Sequence, residues 1–410
     1  MEALLVLFAL LLITVGYLGF EAWSHLRRLH RIPIRIHVNG TRGKSSVTRL
    51  IAAGLRGGGL RVAGKTTGTT ARMILSDGRE LPIFRPAGPN VREQIRVVRV
   101  AAGVEADVLV IECMALQPEL QWLSERWFVR ATHGLITNAR PDHLDVMGPE
   151  PDDVAWALCG MVPRRGKLYT AERERLHILR AACADRDSEL VAIDDEALAG
   201  ISDDDLAGFG HREHPDNLAL ALRVCEDLGV ERQAALAGMW AAKPDPGVLS
   251  EHHLDFFGRR IVFFNGFAAN DPVSSLMIWK FAIERHPDLG RHVALVNCRA
   301  DRADRSRQLA ESIAEWPEVG PVVLVGSGTT IFAREAVRRG MAPTQIVTVE
   351  GASAEQIFEA VVELVDDAAM VMGLGNIGGP GLELVRLFRN RGRPVRTSSE
   401  RPVQEASGVG

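Results

Sequence analysis

The chain has 410 residues, of which 46% are hydrophobic, and its formal net charge is −4 at pH 7. A chain of this length accommodates about two or three domains, and the apolar content supports large buried cores. The small net charge gives no indication of nucleic-acid binding. The 5 cysteines are scattered and form no CxxC pair, which indicates free thiols in a reducing compartment rather than a disulfide or zinc framework.

The first predicted element is an apolar helix. Residues 3–20, ALLVLFALLLITVGYLGF, contain no charged residue. As a helix this stretch would be about 27 Å long, against a hydrocarbon layer of roughly 30 Å. Arginines follow at positions 27, 28 and 31. They predict a single-pass anchor in the cell membrane, residues 1–24, with the rest of the chain in the cytoplasm. A cleaved signal peptide and a buried core helix are the alternatives.

A glycine-rich loop follows the anchor. In RIHVNGTRGKSSVTRL, residues 35–50, the apolar spacing predicts a strand, a loop and a helix. Glycines let backbone N–H groups approach a phosphate, and a helix N-terminus favours negative charge. Lys44 adds a mobile cation, and the hydroxyl of Ser45 can bind Mg²⁺. The alternative is an ordinary strand-to-helix turn with a surface lysine.

The loop is shorter than the usual phosphate loop, because only Thr41 and Arg42 separate Gly40 from Gly43. Its strand–loop–helix context nevertheless favours phosphate binding. The predicted nucleotide-binding residues of this segment are Asn39, Gly40, Thr41, Arg42, Gly43, Lys44, Ser45 and Ser46.

Strands alternate with helices from residue 33 to about residue 245, which predicts a mostly parallel sheet with helices on both faces. In such sheets the ligand site lies beyond the carboxyl ends of the strands. Glu112 follows an apolar run at such an end, where a carboxylate beside a phosphate loop suits Mg²⁺. A surface glutamate at a strand end is the alternative.

Two further polar segments of the first domain contain candidate site residues. TNARPDHLD, residues 137–145, places His143 beside two aspartates, and this group can hold a second cation or orient a phosphate. Taken alone, His143 would be favoured as an ordinary loop histidine; the prediction of a site depends on this being the third polar strand end in the same sheet. Asn217 lies at the start of a predicted helix, where it either caps the helix or reaches a nucleotide base.

The composition changes at AAKPDPG, residues 241–247, which predicts a domain boundary. Beyond it, short apolar strands alternate with helical stretches and predict a second, smaller α/β domain.

Asn270 and Arg302 follow strands of that domain, with exposed charged loops as the alternative. GLGNIG, residues 373–378, follows the last strand, so we expect a close backbone turn or a substrate contact rather than a dinucleotide site. The polar tail is predicted to be disordered over residues 396–410.

Several motifs in this order resemble the Mur ligase superfamily, which includes the peptidoglycan amino-acid ligases and folylpolyglutamate synthetase. They are NGTRGKSS, Glu112 after an apolar strand, TNARPDHLD, HPDN before a helix, and FAANDP. The superfamily's short G-T-x-G-K-[ST] loop matches the spacing described above. Within it, the apolar N-terminus, RPAGPNVREQ, IECMALQPE and NGFAANDP resemble the ATP-dependent subunits of poly-γ-glutamate synthases of the PgsB/CapB type.

The resemblance covers roughly residues 1–395 and implies a three-part architecture. A transmembrane helix precedes a P-loop, parallel-sheet ATPase domain of Mur ligase type over residues 25–245. A smaller, Rossmann-like C-terminal α/β domain follows over residues 246–395. The chain departs from the family where Asn265-Gly-Phe-Ala-Ala-Asn270 stands in place of an Asp-x-Ala-His pattern. Many members carry a carbamylated lysine; Lys167 is the nearest candidate, but its context fits poorly and we leave it out of the site.

The activity implied by the resemblance is ATP-dependent amide ligation of glutamate, with the γ-carboxyl group activated as an acyl phosphate. ATP and Mg²⁺ are the implied cofactors. By position, Lys44, Glu112 and His143 would be catalytic, and Ser45, Glu112 and His143 would bind metal. Asn217 and Arg302 would contact the nucleotide, while Arg85, Arg92 and Asn270 are candidate contacts of the anionic substrate.

The implied partners are glutamate, the growing poly-γ-glutamate, the membrane and other membrane subunits of a synthase and export complex. An oligomer is also expected. A function of another class remains open on the sequence: a membrane-tethered P-loop ATPase or regulator of a transport complex, without ligase chemistry. Phosphate release that depends on glutamate distinguishes the two, because a ligase needs an acceptor.

Overall fold

The computed structural model describes residues 2–68, 71–85, 88–209, 211, 213–244, 249–267, 269 and 272–394. The chain divides into two compact units. Asn270, the tail at residues 396–410 and the predicted boundary near residue 245 lie outside the described residues.

The first unit contains an eight-stranded sheet in the order β4-β3-β2-β5-β1-β6-β7-β8. Its strands are β1 (Ile34–Asn39), β2 (Val62–Thr66), β3 (Arg72–Ile74), β4 (Glu80–Pro82), β5 (Val108–Glu112), β6 (His133–Ile136), β7 (Lys167–Thr170) and β8 (Glu189–Ala192). The strands from β2 to β8 in this order pair in parallel, whereas β3 pairs antiparallel with β2 and β4. The predicted parallel sheet is confirmed. We call the side where β1, β5 and β6 end the carboxyl edge, and the opposite side the amino edge.

Helices cover both faces of this sheet, and β5, VLVIE, is accordingly buried throughout and apolar up to Glu112. They are α1 (Glu2–His30), α2 (Lys44–Gly57), α3 (Glu93–Gly103), α4 (Pro118–Leu123), α5 (Leu144–Met147), α6 (Pro151–Leu158), α7 (Leu176–Asp185), α8 (Asp195–Ala199), α9 (Asp203–Ala207), α10 (Pro215–Asp227) and α11 (Arg232–Trp240). A π-helical turn, Ser124–Val129, continues α4. One core joins α2, α10 and α11 to the sheet, and another joins α3 and the end of α1 to the other face.

The apolar part of α1 projects away from this unit. α1 is long and apolar enough to cross a membrane, with a mean hydropathy of 2.5 over its best 18-residue window, none of which is buried. Only the last third of the helix packs on the unit, where His25 and Leu29 are buried. The guanidinium of Arg35 donates to the carbonyl oxygens of Leu29 at 3.3 Å, Ile32 at 2.6 Å and Arg130 at 2.9 Å. Arg35 thereby caps the end of α1 and fixes the turn into β1.

The second unit contains a seven-stranded sheet in the order β13-β12-β11-β14-β10-β9-β15. Its strands are β9 (Glu251–Phe256), β10 (Arg259–Asn265), β11 (His292–Cys298), β12 (Val322–Gly326), β13 (Ile346–Thr348), β14 (Ala368–Gly375) and β15 (Arg393–Pro394). Its helices are α12 (Pro272–Arg285), α13 (Ala303–Ile313), α14 (Thr329–Arg338), α15 (Ala354–Glu363) and α16 (Pro380–Arg391). The apolar strands β10 to β14 pair in parallel, in agreement with the predicted second α/β domain. β9 was not predicted, because its polar sequence EHHLDF forms an antiparallel hairpin with β10.

A close crossing between α2 and α11 gives the first testable prediction. A Cβ on Gly238 would lie 2.4 Å from the carbonyl oxygen of Ala53, which is backbone and cannot turn aside. Overpacking of this kind typically costs about 1–3 kcal/mol. We expect Gly238→Ala to lower the denaturation midpoint of the full chain in detergent.

Gly103→Ala is the matched control, because nothing lies within 4 Å of a Cβ built at the end of α3. There alanine should leave the midpoint unchanged or raise it slightly, since glycine is the poorer helix former. Equal midpoints for the two variants would show that the α2–α11 crossing tolerates a methyl group.

Candidate active site

The loop between β1 and α2 has the backbone conformation of an anion-binding turn. Gly40 and Gly43 have φ angles of 127° and 79°, in the left-handed region that favours glycine. A Cβ on Gly40 would lie 2.0 Å from the hydroxyl oxygen of Thr137, and one on Gly43 would lie 2.6 Å from the side-chain oxygen of Asn217. Among the described residues no side chain caps the first turn of α2, so its N–H groups are directed into the loop.

The ammonium group of Lys44 lies within this loop. Its Nζ donates to the carbonyl oxygen of Gly40 at 2.6 Å and to that of Thr41 at 3.3 Å. Burial lowers the pKa of Lys44, and the negative charges of Glu112 and Asp142 oppose this effect. The loop therefore combines backbone donors with a cation, which is the chemistry that binds phosphate.

Glu112 ends β5 beside the loop and is 2% exposed. Its Oε2 accepts a hydrogen bond from the hydroxyl of Ser45 at 2.9 Å and another from the backbone N–H of Thr67 at 2.7 Å. A hydroxyl and a carboxylate in contact are hard oxygen donors, which small divalent cations prefer. The side chains of Ser45 and Glu112 therefore fit a divalent-cation site next to the phosphate loop.

The segment after β6 holds the phosphate loop in shape. The Thr41 hydroxyl donates to Oδ1 of Asn138 at 2.6 Å, and the Arg42 N–H donates to the same oxygen at 3.2 Å. The carbonyl oxygen of Arg42 accepts from the Thr137 hydroxyl at 2.5 Å and from Nδ2 of Asn138 at 3.2 Å. The Arg140 N–H donates to the Thr41 hydroxyl at 3.0 Å. Thr137 and Asn138 thus brace the loop, a role that the sequence pattern did not indicate.

His143 lies on the same segment and belongs to a polar cluster that reaches the loop. Asp142 has one carboxylate oxygen 3.7 Å from an Arg42 guanidinium nitrogen and the other 3.9 Å from Nε2 of His143. His143 has a φ angle of 48°, a left-handed conformation that is uncommon outside glycine. The structure therefore brings His143 and the phosphate loop together through Asp142 and Arg42. Its catalytic and metal-binding roles stay predictions.

Asn217 contacts the phosphate loop but does not cap its own helix. The side chain of His214 caps α10 by accepting from the Asp216 N–H, so the capping alternative for Asn217 is wrong. Nδ2 of Asn217 donates to Glu213 at 2.9 Å, and its Oδ1 faces Gly43. The proximity of Asn217 to a nucleotide base stays a prediction.

Two buried polar contacts connect β1 to the segment after β5, and neither was predicted. Nδ2 of Asn39 donates to Oε1 of Gln121 at 2.7 Å, so this side chain supports the strand end beneath the loop. His37 lies 2.8 Å from Glu125 through Nδ1. Burial lowers the pKa of His37, but hydrogen bonds with Cys113 and Glu125 outweigh it and raise that pKa to about 9.

Arg85 takes part in a buried ion cluster at the carboxyl edge. Its guanidinium makes a two-pronged contact with Glu93 at 2.6 and 2.9 Å and donates to the carbonyl oxygen of Thr67 at 3.3 Å. Lys65, which is fully buried, lies 3.1 Å from Glu93 on the other side. Burial lowers the pKa of Lys65, against the charge of Glu93. Sequence reasoning missed Lys65 and Glu93, because single charged residues at a strand end and a helix start form no motif.

Three further residues considered from the sequence, Arg92, Arg302 and Lys167, lie on other elements. Arg92 is largely exposed and lies 3.5 Å from Glu21 of α1. Arg302 belongs to the second unit, at the start of α13. Lys167 starts β7 at the amino edge and pairs with Asp227 at 3.4 Å, so it lies about one strand length from the phosphate loop. Roles for Arg85, Arg92, Asn270 and Arg302 stay predictions.

Comparisons with known proteins agree with this geometry. The model of the Mur ligase middle domain matches residues 38–162, and the model of the poly-gamma-glutamate synthase CapB C-terminal domain matches residues 251–391. The folylpolyglutamate synthase of Mycobacterium tuberculosis, solved with ADP and AMPPCP, superposes with a TM-score of 0.64 at 16% identity, covering 92% of this chain and 98% of that one. The bifunctional folylpolyglutamate synthase/dihydrofolate synthase of Yersinia pestis, solved with AMPPNP and Mn, gives 0.66 at 15% identity, covering 89% and 90%. The chain thus has the Mur ligase fold.

Closer relatives narrow the assignment. The capsule biosynthesis protein CapB of Bacillus anthracis is 38% identical over 385 residues, which cover 92% of this chain and 81% of the relative. The PGA synthase CapB of Bacillus subtilis is 35% identical over 385 residues, covering 93% and 96%. The chain belongs to the CapB family of the Mur ligase superfamily.

The brace on the phosphate loop can be tested by removing one hydroxyl. Thr41→Val keeps the side-chain shape but removes the hydroxyl that donates to Asn138 and accepts from the Arg140 N–H. Two lost hydrogen bonds cost about 1–3 kcal/mol, so if the loop loses its binding geometry we expect the affinity for an ATP analogue to fall about tenfold. Isothermal titration calorimetry measures it. Thr41→Ser restores the hydroxyl and should bind like the wild type; weak binding by both variants would mean that the hydroxyl is not the cause.

Proposed function

We propose that the chain is an ATP-dependent amide ligase that joins glutamate residues through the γ-carboxyl group. One observation supports this most directly: in a chain of the CapB family, the glycine loop, Lys44 and the Ser45–Glu112 pair form one contiguous site. The relatives named above include a PGA synthase, and two solved neighbours hold adenine nucleotides or their analogues.

The reaction proceeds in two displacements. An oxygen of the γ-carboxylate attacks the γ-phosphorus of ATP, the bond to ADP breaks, and an acyl phosphate forms. The amine of another glutamate then attacks the acyl carbon, phosphate leaves, and the amine loses a proton. The phosphate loop and Lys44 hold the β- and γ-phosphates and offset the charge that develops during transfer. Asn217 and Arg302 are the proposed contacts of the rest of the nucleotide.

We assign a Mg²⁺ site to Ser45 and Glu112, and a second one to Glu112 and His143. Magnesium accepts few protein oxygens and keeps several waters, which suits a site with one hydroxyl and one carboxylate. When bound, the ion would neutralise charge on the transferring phosphoryl group. Arg85, Arg92 and Asn270 remain proposed contacts of the anionic substrate. For Arg85, the ion pair with Glu93 and the hydrogen bond to Thr67 favour an indirect role, in which Arg85 positions Thr67 instead of contacting the substrate.

We further propose that α1 anchors the chain in the cell membrane with both units in the cytoplasm, where ATP is present. The arginines at positions 27, 28 and 31 favour this orientation. A polyanion made inside the cell must cross the bilayer, and a single helix forms no path for it. Separate membrane subunits would therefore bind α1 and export the product, and an oligomeric assembly follows from the same need.

The proposal predicts that ADP release depends on glutamate. Membranes containing the full chain are incubated with ATP, Mg²⁺ and labelled glutamate, and ADP and acid-precipitable polymer are measured. Lys44→Ala should lower both by about 10²–10³-fold, because it removes a charge from the transferring phosphoryl group. Lys243→Ala, at an exposed lysine, is the control and should be active.

Two outcomes would contradict the proposal. ADP release that does not depend on glutamate would favour the plain ATPase. Near-normal turnover by folded Lys44→Ala would remove the assigned role of this lysine.

The metal assignment makes a separate prediction. Glu112→Gln keeps the size of the side chain but weakens a cation ligand, and His143→Ala removes one. Each variant should need several-fold more Mg²⁺ for half-maximal turnover than the wild type. Glu119→Gln, close in sequence but on α4, serves as the control. Mg²⁺ titrations that overlay for the wild type and both site variants would refute the assignment.

A further inference from the structure

The direction of α1 along the first unit is fixed by contacts at two places. At one end of the packed segment, Glu21 lies 3.5 Å from Arg92, which immediately precedes α3. At the other end, the carbonyl oxygen of Leu29 accepts from Arg35, the second residue of β1. Between them His25 lies 3.0 Å from the carbonyl oxygen of Phe128 through Nε2. The helix therefore runs beside the sheet, parallel to α3, from Glu21 to Leu29.

These two ends correspond to opposite edges of the sheet. Arg92 is at the carboxyl edge, because the next residue, Glu93, pairs with Lys65 near the end of β2. Arg35 is at the amino edge, because β1 begins at Ile34. The exposed apolar residues 3–20 precede Glu21, so they extend beyond the carboxyl edge. The phosphate loop lies at the same edge.

An exposed aromatic side chain lies beside this exit point. Phe84, which follows β4, is 78% exposed. Its carbonyl oxygen accepts from the guanidinium of Arg96 at 3.3 Å, which ties it to the first turns of α3. Arg92 is level with Glu21, the first charged residue after the apolar stretch, and this is the depth of the lipid headgroups. An aromatic ring with arginines beside it suits that layer, where anionic lipids attract cations.

Direct contacts also connect this surface to the phosphate loop. Arg85, the neighbour of Phe84, donates to the carbonyl oxygen of Thr67 at 3.3 Å. The N–H of Thr67 donates to Glu112 at 2.7 Å, and Glu112 accepts from Ser45 at 2.9 Å. The contacts of Arg85, Thr67 and Glu112 therefore connect the neighbourhood of Phe84 to Ser45 at the start of α2. The phosphate loop and Phe84 both lie at the carboxyl edge, beyond which the apolar stretch of α1 extends.

A second basic surface exists, but it faces the other way. A cavity of about 500 Å³ near the start of β1 is lined by Leu29, His30 and the arginines Arg35, Arg126, Arg130, Arg164, Arg165 and Arg186. Charge alone would make it the stronger candidate for anionic lipid. However, it lies at the amino edge, about 13 Å beyond residue 20 along the helix axis. A bilayer that contains residues 3–20 cannot also reach this cavity.

We propose that the part of the carboxyl edge that carries Phe84, Arg92 and Arg96 faces the lipid bilayer, with Phe84 in the headgroup layer and the two arginines beside anionic headgroups; for Arg92 this role is an alternative to the substrate contact proposed above. The proposal rests on the membrane anchor proposed for α1 and adds an orientation to it. The phosphate loop then lies close to the membrane surface, so the ligase works at the lipid–water boundary instead of deep in the cytoplasm.

Spin labels in nanodiscs test this orientation. The native cysteines are all buried, so single cysteines introduced into the full chain are labelled selectively. The positions are Leu12→Cys in the apolar stretch, Phe84→Cys at the proposed contact and Val104→Cys at the amino edge. Nanodiscs contain equal parts of phosphatidylcholine and phosphatidylglycerol, and the collision rates of each label with oxygen and with a water-soluble nickel chelate are measured.

We expect the label at Leu12 to be in hydrocarbon and the label at Val104 to be in water. The label at Phe84 should collide with the nickel chelate several-fold less than the label at Val104. If Leu12 is in lipid but Phe84 is as accessible as Val104, Phe84 is in water, the orientation is wrong and another surface of the first unit faces the bilayer. If Leu12 is also in water, the anchor itself fails. Neither result depends on ligase activity.

The proposed contact between Arg92 and anionic headgroups has its own control. Replacing phosphatidylglycerol by phosphatidylcholine should raise the accessibility of the Phe84 label, and Arg92→Gln should remove most of this lipid dependence. Arg99→Gln is matched, because Arg99 is exposed on α3, the helix that Arg92 precedes, but lies about 10 Å nearer the amino edge. Equal effects of the two substitutions would contradict a headgroup contact at Arg92.

Discussion

The parallel pairing of β1 with β5 on one side and β6 on the other is the constraint on which the candidate site depends. Parallel strands end at a common edge, so the segments that follow them meet there however far apart they are in sequence. The pairing of Val38 with Glu112 and of Asn39 with Ile136 determines how far each of the three strands extends toward the carboxyl edge. A slip of one residue would turn Glu112 to the other face of the sheet and away from Ser45.

The same edge contains a dense set of charges that remain compatible with burial because they are paired. Lys65 is completely buried, and an unpaired ammonium there would be very costly. Glu93 accepts from Lys65 on one side and from Arg85 on the other, and the hydrogen bonds and positive charges lower the pKa of Glu93 although its burial opposes this. This cluster keeps Thr67 in place, and Thr67 in turn orients Glu112. The position of Glu112, the proposed cation ligand, thus depends through Thr67 on Arg85 and Glu93, which lie outside the proposed cation site.

The alternation of apolar strands and helices was sufficient to predict the α/β fold of both units, because burial on both faces leaves a clear periodic signal. Local motifs also predicted the strand–loop–helix geometry around Gly40 and Gly43 and the position of Glu112 at a strand end beside it. Contacts between distant segments could not be predicted in this way. Asn138 braces a loop almost a hundred residues earlier, and Gln121 holds Asn39 through a single buried amide pair. The polar strand β9 was missed because hairpin pairing with β10, rather than its own composition, makes it a strand.

The cap that Arg35 places on the end of α1 has a mechanical consequence. Its guanidinium joins the last turn of the helix, the connecting turn and the π-helical segment, so there is no hinge between the helix and β1. With α1 inserted as proposed, the helix and the sheet would tilt as one body. A thicker or thinner bilayer changes the tilt of a spanning helix. The distance between the phosphate loop and the lipid surface would therefore vary with bilayer thickness. Lipid composition would thus change the surroundings in which the enzyme meets its substrates.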